Sequence, residues 1–258
     1  CKVSIILTGK RHKSSRMLLR EAGAGAVMHS RPARPADSAR KFVNWAIPDC
    51  RVVGFDLAGQ EDDHPPHQFR AEYEQLARLH IPVTVHAGEN APAEFVESAV
   101  LDLRARRLGH GLSLADDPLL MARARDDGIC VELCPVSNFQ TNAILPHGQE
   151  GAARVYPLRK FMENGISVCI NTDNPVISST NMVKECFQAS YAFGGNGLSL
   201  WDLLRILRAG FVHAFLSLPE RRALLELADQ LVFDLFSRDE VLTLLRAIPP
   251  VVPPRSTP

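Results

Sequence analysis

Val83-Thr84-Val85-His86-Ala87-Gly88-Glu89 is the most informative stretch of this chain. Pro82 opens it, β-branched residues carry it, and an imidazole stands where the apolar run stops. Two small residues then bring a carboxylate back three positions later. The spacing predicts a buried strand and a tight turn, with a metal-capable side chain and a proton-transferring one at the same strand end. The arrangement recurs at Arg107-Leu108-Gly109-His110-Gly111, where a histidine lies between glycines. It recurs again at Ile166-Ser167-Val168-Cys169-Ile170-Asn171-Thr172-Asp173-Asn174-Pro175. Histidine, glutamate, histidine and aspartate at the ends of separate strands predict a site at one mouth of a sheet.

The chain of 258 residues is long enough for one large core. Hydrophobic residues make up 46% and charged residues 22%, the balance expected of a soluble globular protein. Lys and Arg number 29, as do Asp and Glu, so neither nucleic acid nor an anionic membrane is an expected partner. No apolar run approaches the length that crosses a bilayer. Residues 1–9 read as an apolar strand, without the cationic region and cleavage signal of a secretory leader. Four of the six cysteines lie in apolar strand-like or helical contexts, which predicts reduced, buried thiols and a cytoplasmic protein.

Six segments read as strands: residues 3–7, 50–56, 83–87, 107–110, 129–133 and 166–170. Helical patterns separate most of them, at 15–21, 67–79, after Ala91-Pro92, from Asp116-Asp117-Pro118 to about 125, and from 157 to about 163. Residues 22–40 are rich in Ala, Gly, Pro and Arg and read as loop, and Cys134-Pro135-Val136-Ser137-Asn138 closes the fifth strand. Connections of this length suit parallel pairing, and near-continuous apolar strands suit a sheet covered on both faces. Beyond Asp173 the pattern turns helical, at 181–192, 200–215, 219–227 and 238–245. One domain over residues 1–247 and a Pro-rich, disordered tail at 248–258 are expected. A chain that begins abruptly with a buried-type strand is expected to be cut from something larger.

A lone histidine at a strand end is more often a hydrogen-bonded structural residue than a ligand. Glu89 after Ala-Gly and His110 between glycines strengthen the functional alternative. Asp173 follows an apolar strand, where an unpaired carboxylate is costly if buried; a metal would explain the convergence. The combination predicts metal-assisted hydrolysis. His86 and Asp173 ligate zinc, Glu89 exchanges protons with the substrate, and His110 orients the nucleophile and stabilises charge. Two protein ligands fall short of the roughly three that a catalytic zinc takes. His64 and His67, in a polar loop, and His147, in a Gly-rich one, read as solvated residues.

His86-Ala87-Gly88-Glu89, Leu108-Gly109-His110-Gly111, Cys134-Pro135-Val136-Ser137-Asn138 and Asn171-Thr172-Asp173-Asn174 together resemble the adenosine deaminase family. The resemblance covers about residues 3–245 and is strongest over 52–175. It implies a zinc-dependent (β/α)₈ barrel that hydrolytically deaminates adenosine or 2′-deoxyadenosine. It also implies the individual roles: His86 and Asp173 as zinc ligands, Glu89 protonating purine N1, and His110 acting on the zinc-bound water. Gly59 would offer its backbone N–H to purine N3. Asn174 stands at the second acidic position of Thr-Asp-Asp, like a bacterial-type variant, and its amide can donate to N7. A strand-end cap before Pro175 is its structural alternative. One feature departs from the family: no His-x-His, the source of its other two zinc ligands, occurs in the 258 residues. Residues 3–7 resemble the family's third strand. The expected fold is therefore an incomplete TIM (β/α)₈-type barrel, truncated at its N-terminus, with about six of eight strands followed by C-terminal helices. A deaminase of adenine or another 6-aminopurine nucleoside, and a non-catalytic purine-binding remnant, are the competing functions.

Overall fold

Six parallel strands lie side by side in chain order: β1 (Ser4–Lys10), β2 (Arg51–Ala58), β3 (Val83–Ala87), β4 (Arg107–His110), β5 (Cys130–Leu133) and β6 (Ser167–Ile170). The computed structural model describes residues 4–11, 51–144, 155–191 and 197–247. The expected helix at 15–21, the loop at 22–40, the tail at 248–258 and His147 lie outside them. Helices α1 (Arg70–Arg78), α2 (Ala93–Leu101), α3 (Pro118–Asp126), α4 (Pro135–Gln140) and α5 (Leu158–Glu163) alternate with the strands. Four more, α6 (Met182–Tyr191), α7 (Leu200–Val212), α8 (Leu218–Phe236) and α9 (Asp239–Ala247), follow β6. The result is an incomplete (β/α)₈ barrel with C-terminal helices.

Strand periodicity sorts the side chains onto two faces. Val85, Leu108 and Val131 align across the ladder and are fully buried beneath the helices. Thr84, Arg107 and Glu132 occupy the other face and are polar. Arg107 forms an ion pair with Glu132, its Nε 2.5 Å from Oε1, and Thr84 Oγ1 donates to Glu132 Oε2 at 3.0 Å. A charge beneath the sheet mouth is tolerated because it is paired and hydrogen-bonded.

Local sequence explains most element ends. Asp117 caps α3, accepting from the backbone N–H of Leu119 at 2.8 Å and Leu120 at 3.0 Å, and Pro118 occupies the first turn. Ser199 with Asp202, and Ser217 with Glu220, form capping boxes on α7 and α8. α7 packs against β6 and buries Ile206 there, whereas α8 and α9 bury no side chain.

Three expectations need correction. The helix expected over 67–79 is split, because Pro65-Pro66 sets a short 3₁₀ turn at Pro66–Phe69 before α1 begins. Residues 135–140 form α4 instead of a loop, since Pro135 suits a first helical turn. The helix expected over 219–227 runs on to Phe236, its apolar repeat continuing through Leu231 and Leu235. Among the described residues, no helix is long and apolar enough to cross a membrane.

Candidate active site

His86 is the penultimate residue of β3, its Nδ1 3.0 Å from Asp56 Oδ1 on the neighbouring strand. Burial alone would lower the pKa of this imidazole, but the charge and hydrogen bond of Asp56 raise it to about 9. The backbone then turns at Gly88, whose φ of +73° is a glycine conformation. Glu61 fixes this turn. Its carboxylate accepts from the backbone N–H groups of Gly88 at 2.7 Å, Asn90 at 2.9 Å and Ala91 at 3.2 Å. Glu61→Ala is therefore expected to destabilise the fold by about 2–3 kcal/mol, because buried donors lose a charged acceptor. Urea denaturation checks this; an unchanged midpoint would mean that water replaces the carboxylate.

Glu89, returned by that turn, accepts from Thr141 Oγ1 at 3.0 Å. Burial raises its pKa, while the Thr141 hydrogen bond and the charge of His86 oppose the rise. A raised carboxyl holds a proton more readily than an exposed one, as a general acid must. His110 sits beyond it, Nε2 at 3.7 Å from Glu89 Oε2, with a backbone φ of +61° that the following glycine helps accommodate. Its ring is 2% exposed as a residue and packs edge-on against His86, centroids 5.2 Å apart. Burial and the neighbouring His86 lower its pKa to about 4. Asn138 Nδ2 contacts His110 Nδ1 at 2.9 Å, and Tyr156 donates its hydroxyl to Asn138 Oδ1 at 3.1 Å.

Asp173 follows β6 at φ +51° and is exposed, so the burial cost expected from its apolar strand does not arise. Ser137 Oγ donates to its Oδ2 at 2.7 Å, and Asn174 Nδ2 reaches Oδ1 at 3.4 Å. Its charge is felt by His86, His110 and Glu89. Gly59, at φ +111°, is exposed at the end of β2. Thus His86, Glu89, His110 and Asp173 converge, while Gly59 and Asn174 stand at the rim. Ser137 and Asn138 lie in the Cys134–Asn138 motif without an assigned role there, and Asp56, Glu61, Arg11 and Tyr156 were not legible as participants. Arg11, 1% exposed, donates to the carbonyls of His64, at 2.5 Å, and His86, tying the end of β1 to the end of β3.

Among the described residues, no three His, Cys, Asp or Glu side chains stand together as a metal site. His86 and Asp173 offer part of a zinc donor set and fall short of the roughly three protein ligands of a catalytic zinc.

A sequence profile described as Adenosine deaminase matches residues 20–231. The chain belongs to the adenosine deaminase family. Within it, the adenosine deaminase of Enterococcus faecalis is 38% identical over 179 residues, 69% of this chain and 50% of that one. The chain spans about half the length of the curated relatives it matches. Two solved structures share the fold. An adenine deaminase from Arthrobacter aurescens has a TM-score of 0.68 at 21% identity, covering 88% of this chain and 61% of the other. A zinc-bound amidohydrolase from Burkholderia ambifaria has a TM-score of 0.69 at 22% identity, covering 94% and 58%.

Proposed function

We propose that the site serves hydrolytic removal of the 6-amino group from adenosine or 2′-deoxyadenosine, giving inosine or deoxyinosine and ammonia. The observation that carries this reading is Glu89, its carboxyl raised by burial and held 3.7 Å from His110 at the mouth of the sheet. A purine ring seated there needs a proton on N1 before C6 accepts water, and Glu89 is the group placed to supply it. His110 contributes a polar hydrogen on the other side of the reacting carbon, where negative charge develops. Gly59 offers a backbone N–H to N3, and the Asn174 amide turns from Asp173 to donate to N7. Zinc is the metal we propose, with His86 and Asp173 as two of its ligands. Free Cys130, Cys134 and Cys169, all buried, suit a reducing cytoplasm.

The reading is tested by ammonia release from adenosine, 2′-deoxyadenosine, adenine and other 6-aminopurine nucleosides. Zinc content is measured in parallel on this chain and on one extended upstream by a His-x-His strand. Stoichiometric zinc and turnover of adenosine in the extended form, with neither in the short form, is the expected result. Preference for adenine or another nucleoside would replace the substrate, and zinc without any turnover would sink the deaminase reading. The incomplete donor set favours the second reading, a purine-binding remnant, and purine binding without zinc in either form would establish it.

A further inference from the structure

We infer that Asn138 and Tyr156 are positioning residues that hold neutral His110 in its Nε2–H tautomer, so that it meets the reaction as a hydrogen-bond donor. The argument starts from the amide. An asparagine side chain presents an acceptor at one end and two donors at the other, and its orientation is set by its neighbours. Asn138 is completely buried, so a wrong orientation could not be repaired by water. The Tyr156 hydroxyl, on a residue 5% exposed, donates to Oδ1 at 3.1 Å. At the opposite end, the amide nitrogen lies 2.9 Å from His110 Nδ1.

A donated N–H at Nδ1 requires a lone pair there. In a neutral imidazole the proton then resides on Nε2, the nitrogen that faces Glu89. A donor at Nε2 stabilises developing negative charge and cannot also take a proton from the attacking water through that nitrogen. The carboxylate-bearing arrangement common around catalytic histidines would do the opposite, leaving the proton on Nδ1. The catalytic consequence rests on the proposed deamination; the tautomer does not.

The test is long-range ¹⁵N–¹H NMR on the intact chain labelled at histidine, with the His110 signals assigned by their loss in His110→Gln. Protonated Nε2 and unprotonated Nδ1 are expected. Asn138→Asp is nearly isosteric, and its carboxylate only accepts, so the proton should move to Nδ1. Tyr156→Phe removes the hydroxyl that holds the amide at Oδ1 and should give both tautomers. Protonated Nδ1 in the unmodified chain would overturn the inference, as would a tautomer unchanged in Asn138→Asp. If either variant misfolds, the measurement on the unmodified chain still decides. In a preparation that turns over adenosine, Asn138→Asp should lower kcat on the order of 10²-fold with little change in KM, as for loss of one oriented donor. Equal kcat would also overturn it. Protonated Nε2 without turnover of any purine by the upstream-extended form would leave the inference standing and defeat the functional reading; turnover with protonated Nδ1 would do the reverse.

Discussion

Glu89→Gln is expected to lower turnover of the preferred 6-aminopurine by on the order of 10²–10⁴-fold, the range for loss of a positioned general acid. The substitution is nearly isosteric. Thr141 can still donate to the amide oxygen as it now does to Oε1 at 3.0 Å, so the side chain keeps its place. The turn beneath it is held by Glu61 and is untouched. What disappears is the exchangeable proton, because an amide cannot hand one to a ring nitrogen at any accessible pH. The loss should therefore fall on kcat in the upstream-extended form, with its metal content and substrate affinity unchanged. Steady-state kinetics with parallel metal analysis measures both, and near-normal turnover would transfer the proton-transfer role to another residue.

Gly88→Ala is expected to destabilise the protein by about 2–5 kcal/mol, combining the left-handed backbone penalty with overpacking of a closed space. The φ of +73° at this position is one that alanine adopts only at a cost. A Cβ there would lie 2.2 Å from Ser113 Oγ and 2.5 Å from Val96 Cγ2. The serine hydroxyl can rotate away, but Val96 is fully buried on α2 and has nowhere to go. Relief can come only from moving the turn, which carries Glu89 and the N–H groups bound to Glu61. Loss of activity should accompany loss of stability, and the combination Gly88→Ala with Val96→Ala should recover part of the stability alone. Chemical denaturation of the single and double variants provides the check; a single variant as stable as the unmodified chain would refute the close-packed turn.

The strands and the identity of the convergent side chains were legible because they depend on local rules. Apolar β-branched runs such as Val83-Thr84-Val85 have one comfortable conformation, and the residues that end them must emerge at the same mouth of a parallel sheet. That alone places His86, Glu89, His110 and Asp173 near one another. The capped helices were legible for the same reason, as at Asp117-Pro118. The 3₁₀ turn at Pro66–Phe69 and the length of α8 were less so, because proline geometry and continuing apolar repeats set boundaries only through competition with packing.

The sequence by itself determined a parallel α/β sheet and the side chains that stand at the ends of its strands. Only the tertiary structure decided what state that chemistry is in. Glu61 and Gly88 are 27 residues apart in the chain, Asp56 and His86 are 30, and Asn138 and His110 are 28. Their contacts exist because neighbouring strands pair in one register. A side chain's proton affinity depends on those contacts and on the water they exclude, and no local pattern encodes either. Two histidines of the same intrinsic basicity therefore part company: His86 is raised by Asp56, while His110 is lowered by burial and by His86 itself.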